Sequence, residues 1–154
     1  MRGLKLALFS VLLSASAQAG PRADHWSGFD GTVGMPFPSV VGLMVGFNTG
    51  DEARVSIGAG SFGDWATYTV DAKAFLSPSS QWSPYFGAGL SYMSGTASTF
   101  LVWDLQFDHA FVPYFEGGMD FQSDMGVHVS FNLGGAAPNG RVIVLPGIAL
   151  GWYF

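Results

Sequence analysis

Val142-Ile143-Val144-Leu145-Pro146-Gly147-Ile148-Ala149-Leu150-Gly151-Trp152-Tyr153-Phe154 ends the chain. Its even positions are Val142, Val144, Pro146, Ile148, Leu150, Trp152 and Phe154, all apolar, with aromatic residues gathered at the end. A period of two is the signature of a β-strand, whose successive side chains point to opposite faces. Such a strand suits either the core of a soluble protein or the closing strand of a bacterial outer-membrane barrel. The rest of the sequence decides between them.

The opposite end reads as a secretory signal peptide over residues 1–19. Arg2 and Lys5 give a basic start, Leu6 to Leu13 is a short apolar run, and Ala17-Gln18-Ala19 is a small-x-small cleavage site. The run is too short to cross about 30 Å of hydrocarbon as a helix. Cleavage would remove Arg2 and Lys5 and leave 135 residues (20–154), with four basic side chains against eleven acidic ones. That balance excludes a nucleic-acid partner, which calls for a basic patch.

Composition points to lipid. Of the 154 residues 49% are hydrophobic and 11% charged, whereas a soluble domain carries about 25% charged residues. With no Cys, disulfides, Cys-ligated zinc and Cys nucleophiles are excluded. No later stretch has 18 consecutive apolar residues, so a membrane helix is not expected. The other structure that lipid tolerates is a closed β-barrel, in which every backbone polar group is paired.

Alternation along the chain predicts an all-β, eight-stranded, antiparallel up-and-down transmembrane barrel. The expected strands are Trp26–Met35, Ser39–Asn48, Glu52–Ser61, Ala66–Leu76, Pro84–Met93, Phe111–Phe121, Gly126–Leu133 and Val142–Phe154. Their lengths bracket the 9–11 residues of a tilted membrane strand, and an even count suits a single-chain bacterial barrel. Tight turns at Thr49–Asp51, Ser77–Gln81 and Gln122–Asp124 fall on the periplasmic side. Segments Pro36–Pro38, Phe62–Trp65, Ser94–Ala110 and Gly134–Arg141 fall outside. Trp65, Trp82, Tyr85, Tyr92, Trp103, Tyr114, Trp152 and Tyr153 lie mostly near strand ends, as the aromatic girdles of a membrane barrel do.

One stretch fits this scheme poorly. Leu101, Trp103, Leu105 and Phe107 alternate with Val102, Asp104, Gln106 and Asp108, the pattern of a strand. The favoured reading is a long sixth strand, or a hairpin in the third outer loop, carrying the odd-numbered phase on through Phe111. The alternative makes 100–108 strand five and drops 20–37 from the barrel.

The inward phase collects the polar residues. Arg54, Asp71, Lys73, Glu116, Asp120, His128, Ser130 and Asn132 are expected to form a lumen network, with the two cations paired to the carboxylates, because unpaired buried charge is costly. Gly42, Gly46, Gly58, Gly60, Gly87, Gly89 and Gly118 share that phase and would leave volume unfilled. Pro113 and Pro146, which cannot donate ladder hydrogen bonds, are candidates for a lateral opening near the outer rim.

Three segments resemble the OmpW family of small eight-stranded outer-membrane barrels. One runs from Phe75-Leu76-Ser77-Pro78 through Trp82-Ser83-Pro84-Tyr85-Phe86-Gly87-Ala88-Gly89-Leu90-Ser91-Tyr92. Another joins Leu105-Gln106-Phe107-Asp108-His109-Ala110-Phe111 to Gly117-Gly118-Met119-Asp120-Phe121 and Ser123-Asp124. The last joins Val144-Leu145-Pro146 to Gly151-Trp152-Tyr153-Phe154. The resemblance covers the C-terminal half of the mature chain well and the N-terminal half loosely, and the first two outer loops are shorter than that family's. It implies an outer-membrane location in a Gram-negative-type bacterium and passage of small, mainly hydrophobic molecules. Trp152 and Phe154 would then be the signal read by the barrel-insertion machinery, with outer-membrane lipids and a small apolar solute as the other partners.

Two further readings stand beside the conduit. An eight-stranded lumen is just wide enough to be filled by side chains, which suits a closed structural or surface-interaction barrel. His128-Val129-Ser130, with Glu116 or Asp120 as carboxylate, invites comparison with outer-membrane lipid A deacylases. However, the phase turns His128 and Ser130 inward, away from any lipid substrate. No catalytic residues are therefore assigned, and no enzymatic activity is expected. His25, His109 and His128 lack ligand-like spacing, so no metal or other cofactor is expected either.

Overall fold

The computed structural model describes residues 20–34, 39–62, 65–100, 103–137 and 142–154. The expected signal peptide and the Pro36–Pro38 loop lie outside them. Eight strands are present: β1 Ser27–Gly34, β2 Ser39–Asn48, β3 Ala53–Phe62, β4 Trp65–Phe75, β5 Trp82–Phe100, β6 Trp103–Gln122, β7 Val127–Ala136 and β8 Ile143–Tyr153. Each pairs antiparallel with its neighbours in sequence, and β8 pairs with β1 to close the barrel.

Register fixes the barrel's shape. Following the pairs from Trp82 leads through Phe121, Val129, Leu150, Gly31, Leu43, Ala59 and Tyr68 to Tyr92. The circuit returns to β5 ten residues beyond its start. That stagger over eight strands corresponds to a tilt of about 40° and a backbone radius of about 8 Å, from the standard rise and strand spacing.

The alternation read from the sequence sorts the side chains. In β2, Val41, Leu43, Val45 and Phe47 are exposed while Met44 and Asn48 are buried. In β4, Tyr68 and Val70 mark the outer face, while Thr67, Thr69, Asp71, Lys73 and Phe75 are buried. In β8, Val144, Leu150 and Trp152 face out and Ile143, Leu145, Ala149 and Tyr153 face in. The described outer wall is thus apolar and the inner wall carries the charge, the reverse of a water-soluble barrel.

The turns between β2 and β3, β4 and β5, and β6 and β7 crowd one end, expected to be periplasmic. The first and the last have four residues each, and the last depends on a glycine. Gly126 has φ 85°, and a carbon added to it would lie 1.9 Å from the carbonyl oxygen of Tyr153. Only glycine meets both demands.

The ambiguous 100–108 stretch belongs to an extended hairpin. β5 and β6 run on together to the pair Phe100↔Trp103. Their outside neighbours stop sooner: β4 makes its last pair at Ala66↔Ser94 and β7 at Tyr114↔Ala136. The two-stranded ribbon therefore rises above the wall, and β1 keeps its place in the barrel, which removes the alternative without residues 20–37. Register steps by one residue where the ribbon leaves, from Met93↔Ala110 to Gly95↔Phe107. His109 takes φ 54° there, and Tyr92 Oη lies 2.5 Å from its Nδ1. This β-bulge breaks the odd-numbered phase that the sequence carried from Phe111 into Phe107.

Candidate functional site

Inside the wall the side chains form three tiers. The lowest, at the tight-turn end, draws on six strands and centres on Asp120 of β6. Arg54 of β3 donates to Asp120 Oδ2 at 3.1 Å, to Asn48 Oδ1 at 2.9 Å and to Gln122 Oε1 at 2.8 Å. His128 of β7 stands between two carboxylates, with Nδ1 at 2.5 Å from Asp30 and Nε2 at 2.6 Å from Asp120. Tyr153 of β8 donates its hydroxyl to Asp30 at 2.9 Å, and the Arg54 guanidinium lies over its ring.

In the middle tier Lys73 Nζ lies 3.3 Å from Glu116 Oε1. Tyr85 and Asn132 donate to the other Glu116 oxygen, Ser130 is bonded to the Tyr85 hydroxyl, and Tyr114 donates to Asp71 at 3.2 Å. Toward the loop end Thr69 and Ser91 share a hydrogen bond of 2.7 Å. Above them Trp65, Met93, Val112, Tyr114, Ala136, Ile143 and Leu145 form a buried apolar cluster.

All eight lumen residues named from the sequence thus lie on the inner wall. Arg54, Asp120 and His128 meet in the lower tier; Lys73, Glu116, Asn132 and Ser130 meet in the middle, with Asp71 held by Tyr114. His128 and Ser130 have separate partners and form no dyad.

Several expectations need correction. Half of the supposed girdle aromatics are lumen fillers: Trp65, Tyr85, Tyr114 and Tyr153 are almost wholly buried, while Trp82 and Trp152 face outward. Trp65, Tyr85 and Tyr153 lie near strand ends and Tyr114 within β6, all four on the inward phase. The inward glycines do not all leave space. A carbon at Gly46 would lie 2.1 Å from the Tyr153 hydroxyl, and one at Gly89 would lie 2.5 Å from the Tyr114 ring. Glycine here makes room for a tyrosine of a nearby strand: Tyr114 is the cross-strand partner of Gly89, and Tyr153 of β8 lies two strands from Gly46 of β2.

Among the described residues, no break in the ladder marks a side opening at Pro113 or Pro146. Pairing continues past Pro113 on its β5 side and past Pro146 on its β7 side. On the other side each proline sits one residue above the last pair, Tyr114↔Ala136 and Gly34↔Gly147 respectively. That is an edge position, where a missing donor is tolerated. The wall next to them carries buried Val112, Tyr114, Ile143 and Leu145.

The eight residues named from the sequence omit Asp30, Asn48, Gln122 and Tyr153 of the lower tier, and one residue outside the strands. Arg22, ahead of the first strand, enters the tight-turn mouth and is fully buried. It pairs with Asp120 at 2.8 Å, donates to the Ser80 carbonyl at 2.9 Å and lies over the Phe75 ring. Periodicity could not find it, because it precedes every alternating stretch.

At the C-terminus, Trp152 and Phe154 are exposed on the outer wall. Phe154 rests its ring against Phe29 and donates its backbone N–H to Ser27 at 2.7 Å. No group of three or more His, Cys, Asp or Glu side chains suited to a metal occurs among the described residues.

These features define a small eight-stranded barrel of outer-membrane type, apolar outside and filled with paired polar groups inside. Solved structures agree on the fold. The N-terminal β-barrel domain of Pseudomonas aeruginosa OprF is similar over 84% of this chain and 98% of its own, with a TM-score of 0.67 at 17% identity. Yersinia pestis Ail, determined in a phospholipid bilayer nanodisc, is similar over 84% and 99%, with a TM-score of 0.51 at 11% identity. No family model matches the chain, and neither does any curated protein.

Proposed function

We propose that this chain is a closed-lumen structural or surface-interaction barrel of the outer membrane of a Gram-negative-type bacterium. It would be exported by residues 1–19, inserted through its C-terminal strand and held among outer-membrane lipids. The observation that carries this reading is the filling of the described lumen. Arg22 and the Asp120 network occupy the mouth, the Lys73–Glu116 pair the middle, and an apolar cluster the loop end. A path for solute would have to separate buried charges, each of which costs several kcal/mol when left unpaired (~3–5). Among the described residues the β5–β6 ribbon is what rises above the wall, and it would serve as the surface device, with no catalytic group assigned to it.

The likeness of Phe75–Tyr92 and Val144–Phe154 to OmpW-type barrels favours a second reading, passage of small apolar solutes. One experiment separates the two. The purified barrel is placed in planar bilayers and in vesicles loaded with a small apolar dye. The closed reading expects lipid-baseline conductance and unchanged dye efflux. Stepwise openings, or efflux that rises with protein dose, would replace it with the conduit.

A further inference from the structure

Three backbone N–H groups of the segment before β1 converge on one carboxylate, that of Asp51 in the β2–β3 turn. Gly20 N donates to Oδ2, and Arg22 N and Ala23 N donate to Oδ1 at 3.0 and 2.8 Å. A carbon added at Gly20 would stand 2.8 Å from Asp51 Oδ1 and 2.9 Å from the Pro78 carbonyl oxygen. Gly20 is thus seated between two turns with no room for a side chain. The next residues are tied down as well: Gln122 donates to the Pro21 carbonyl at 3.0 Å, and Asn48 to that of His25 at 2.6 Å. Arg22, two residues on from Gly20, fills the mouth.

Gly20 is also the residue that the Ala17-Gln18-Ala19 motif places first in the mature chain. Resting on that cleavage reading, we propose that Asp51 is a receptor for the α-ammonium that processing creates, and that this ion pair latches the Arg22 plug in place. Hydrolysis of the Ala19–Gly20 bond adds the hydroxyl of water to the Ala19 carbonyl carbon, which departs as a carboxylate. The Gly20 nitrogen takes up protons and becomes an ammonium. One amide donor facing Asp51 becomes a charged group with three, and hydrogen bonds between ionised partners are about twice as strong as neutral ones. The mouth is then fully secured only in the processed protein, so maturation and closure are one event.

The sequence provides a clean assay. Lys73 is the only lysine in the processed chain, and its tryptic sites are Arg22, Arg54, Lys73 and Arg141. Trypsin acting at Arg22 would release Gly20-Pro21-Arg22, a loss read directly by intact mass. The processed barrel is purified from membranes and weighed, then digested before and after acetylation of its α-amine. Gly20→Ala and Asp51→Asn are treated alike; should Asp51→Asn not fold, Gly20→Ala carries the test with Asp51 intact.

The starting mass is expected to place the first residue at Gly20. Release of the tripeptide is expected to be about tenfold faster in both variants and in the acetylated wild type, the scale of one hydrogen bond to a charged group. A chain that begins at Gly20 but releases the tripeptide at the wild-type rate in all three cases overturns the latch and leaves the cleavage reading standing. A chain that begins elsewhere overturns both.

Discussion

Asp120 shows how much of this molecule rests on single side chains. Its two oxygens meet Arg22, Arg54 and His128, and it is fully buried. Removing its charge would leave the Arg22 and Arg54 guanidinium groups, both paired to it, without their shared carboxylate. Asp120→Asn is therefore expected to lower the stability of the folded barrel by about 3–5 kcal/mol, the usual effect of breaking a buried pair from one side. Urea titration in lipid vesicles, followed by the shift of folded and unfolded bands on unheated gels, measures it. A loss below about 1 kcal/mol, the value of an exposed pair, would show that water reaches this site. The face of Asp120 was legible from alternation, but its partners were not. Arg22 lies 98 residues away in sequence, and a period of two assigns sides without assigning neighbours.

The strands were legible wherever one face meets lipid and the other the lumen. Leu43, Ile57, Val70 and Leu133 on the outer wall each fall on the phase read from sequence. Legibility failed where that contrast ends. Tyr153 and Trp65 fill the lumen at its two ends, and at a strand end an aromatic residue suits either face. In the β5–β6 ribbon the extended hairpin was legible but its phase was not: the bulge at His109 inserts a residue, and a pattern of strict alternation has no symbol for that. Because the pairing of β5 with β4 ends at Ser94 and that of β6 with β7 at Tyr114, the ribbon adds nothing to closure of the wall. Replacing Gly95–His109 with a short Asn-Gly turn is expected to leave the heat-sensitive gel mobility of the folded barrel unchanged. Loss of that mobility would mean that the ribbon takes part in closing the wall.

At the scale of the whole molecule, eight strands, a stagger of ten residues and an inside-out distribution of polarity are mutually consistent. The stagger sets a radius that side chains can fill. Glycine at 46 and 89 lets Tyr153 and Tyr114 fill it, and Arg22, Asp30, Arg54, Asp71, Lys73, Glu116 and Asp120 are buried inside. All of this requires hydrocarbon around the outer wall. Methyl-labelled protein in lipid nanodiscs tests that requirement by nuclear Overhauser contacts. The methyl groups of Leu43, Ile57, Val70, Leu90 and Leu150 are expected to contact lipid acyl chains, and those of Thr67 and Thr69 to have none. Contacts from the first set to water instead of lipid would contradict the account.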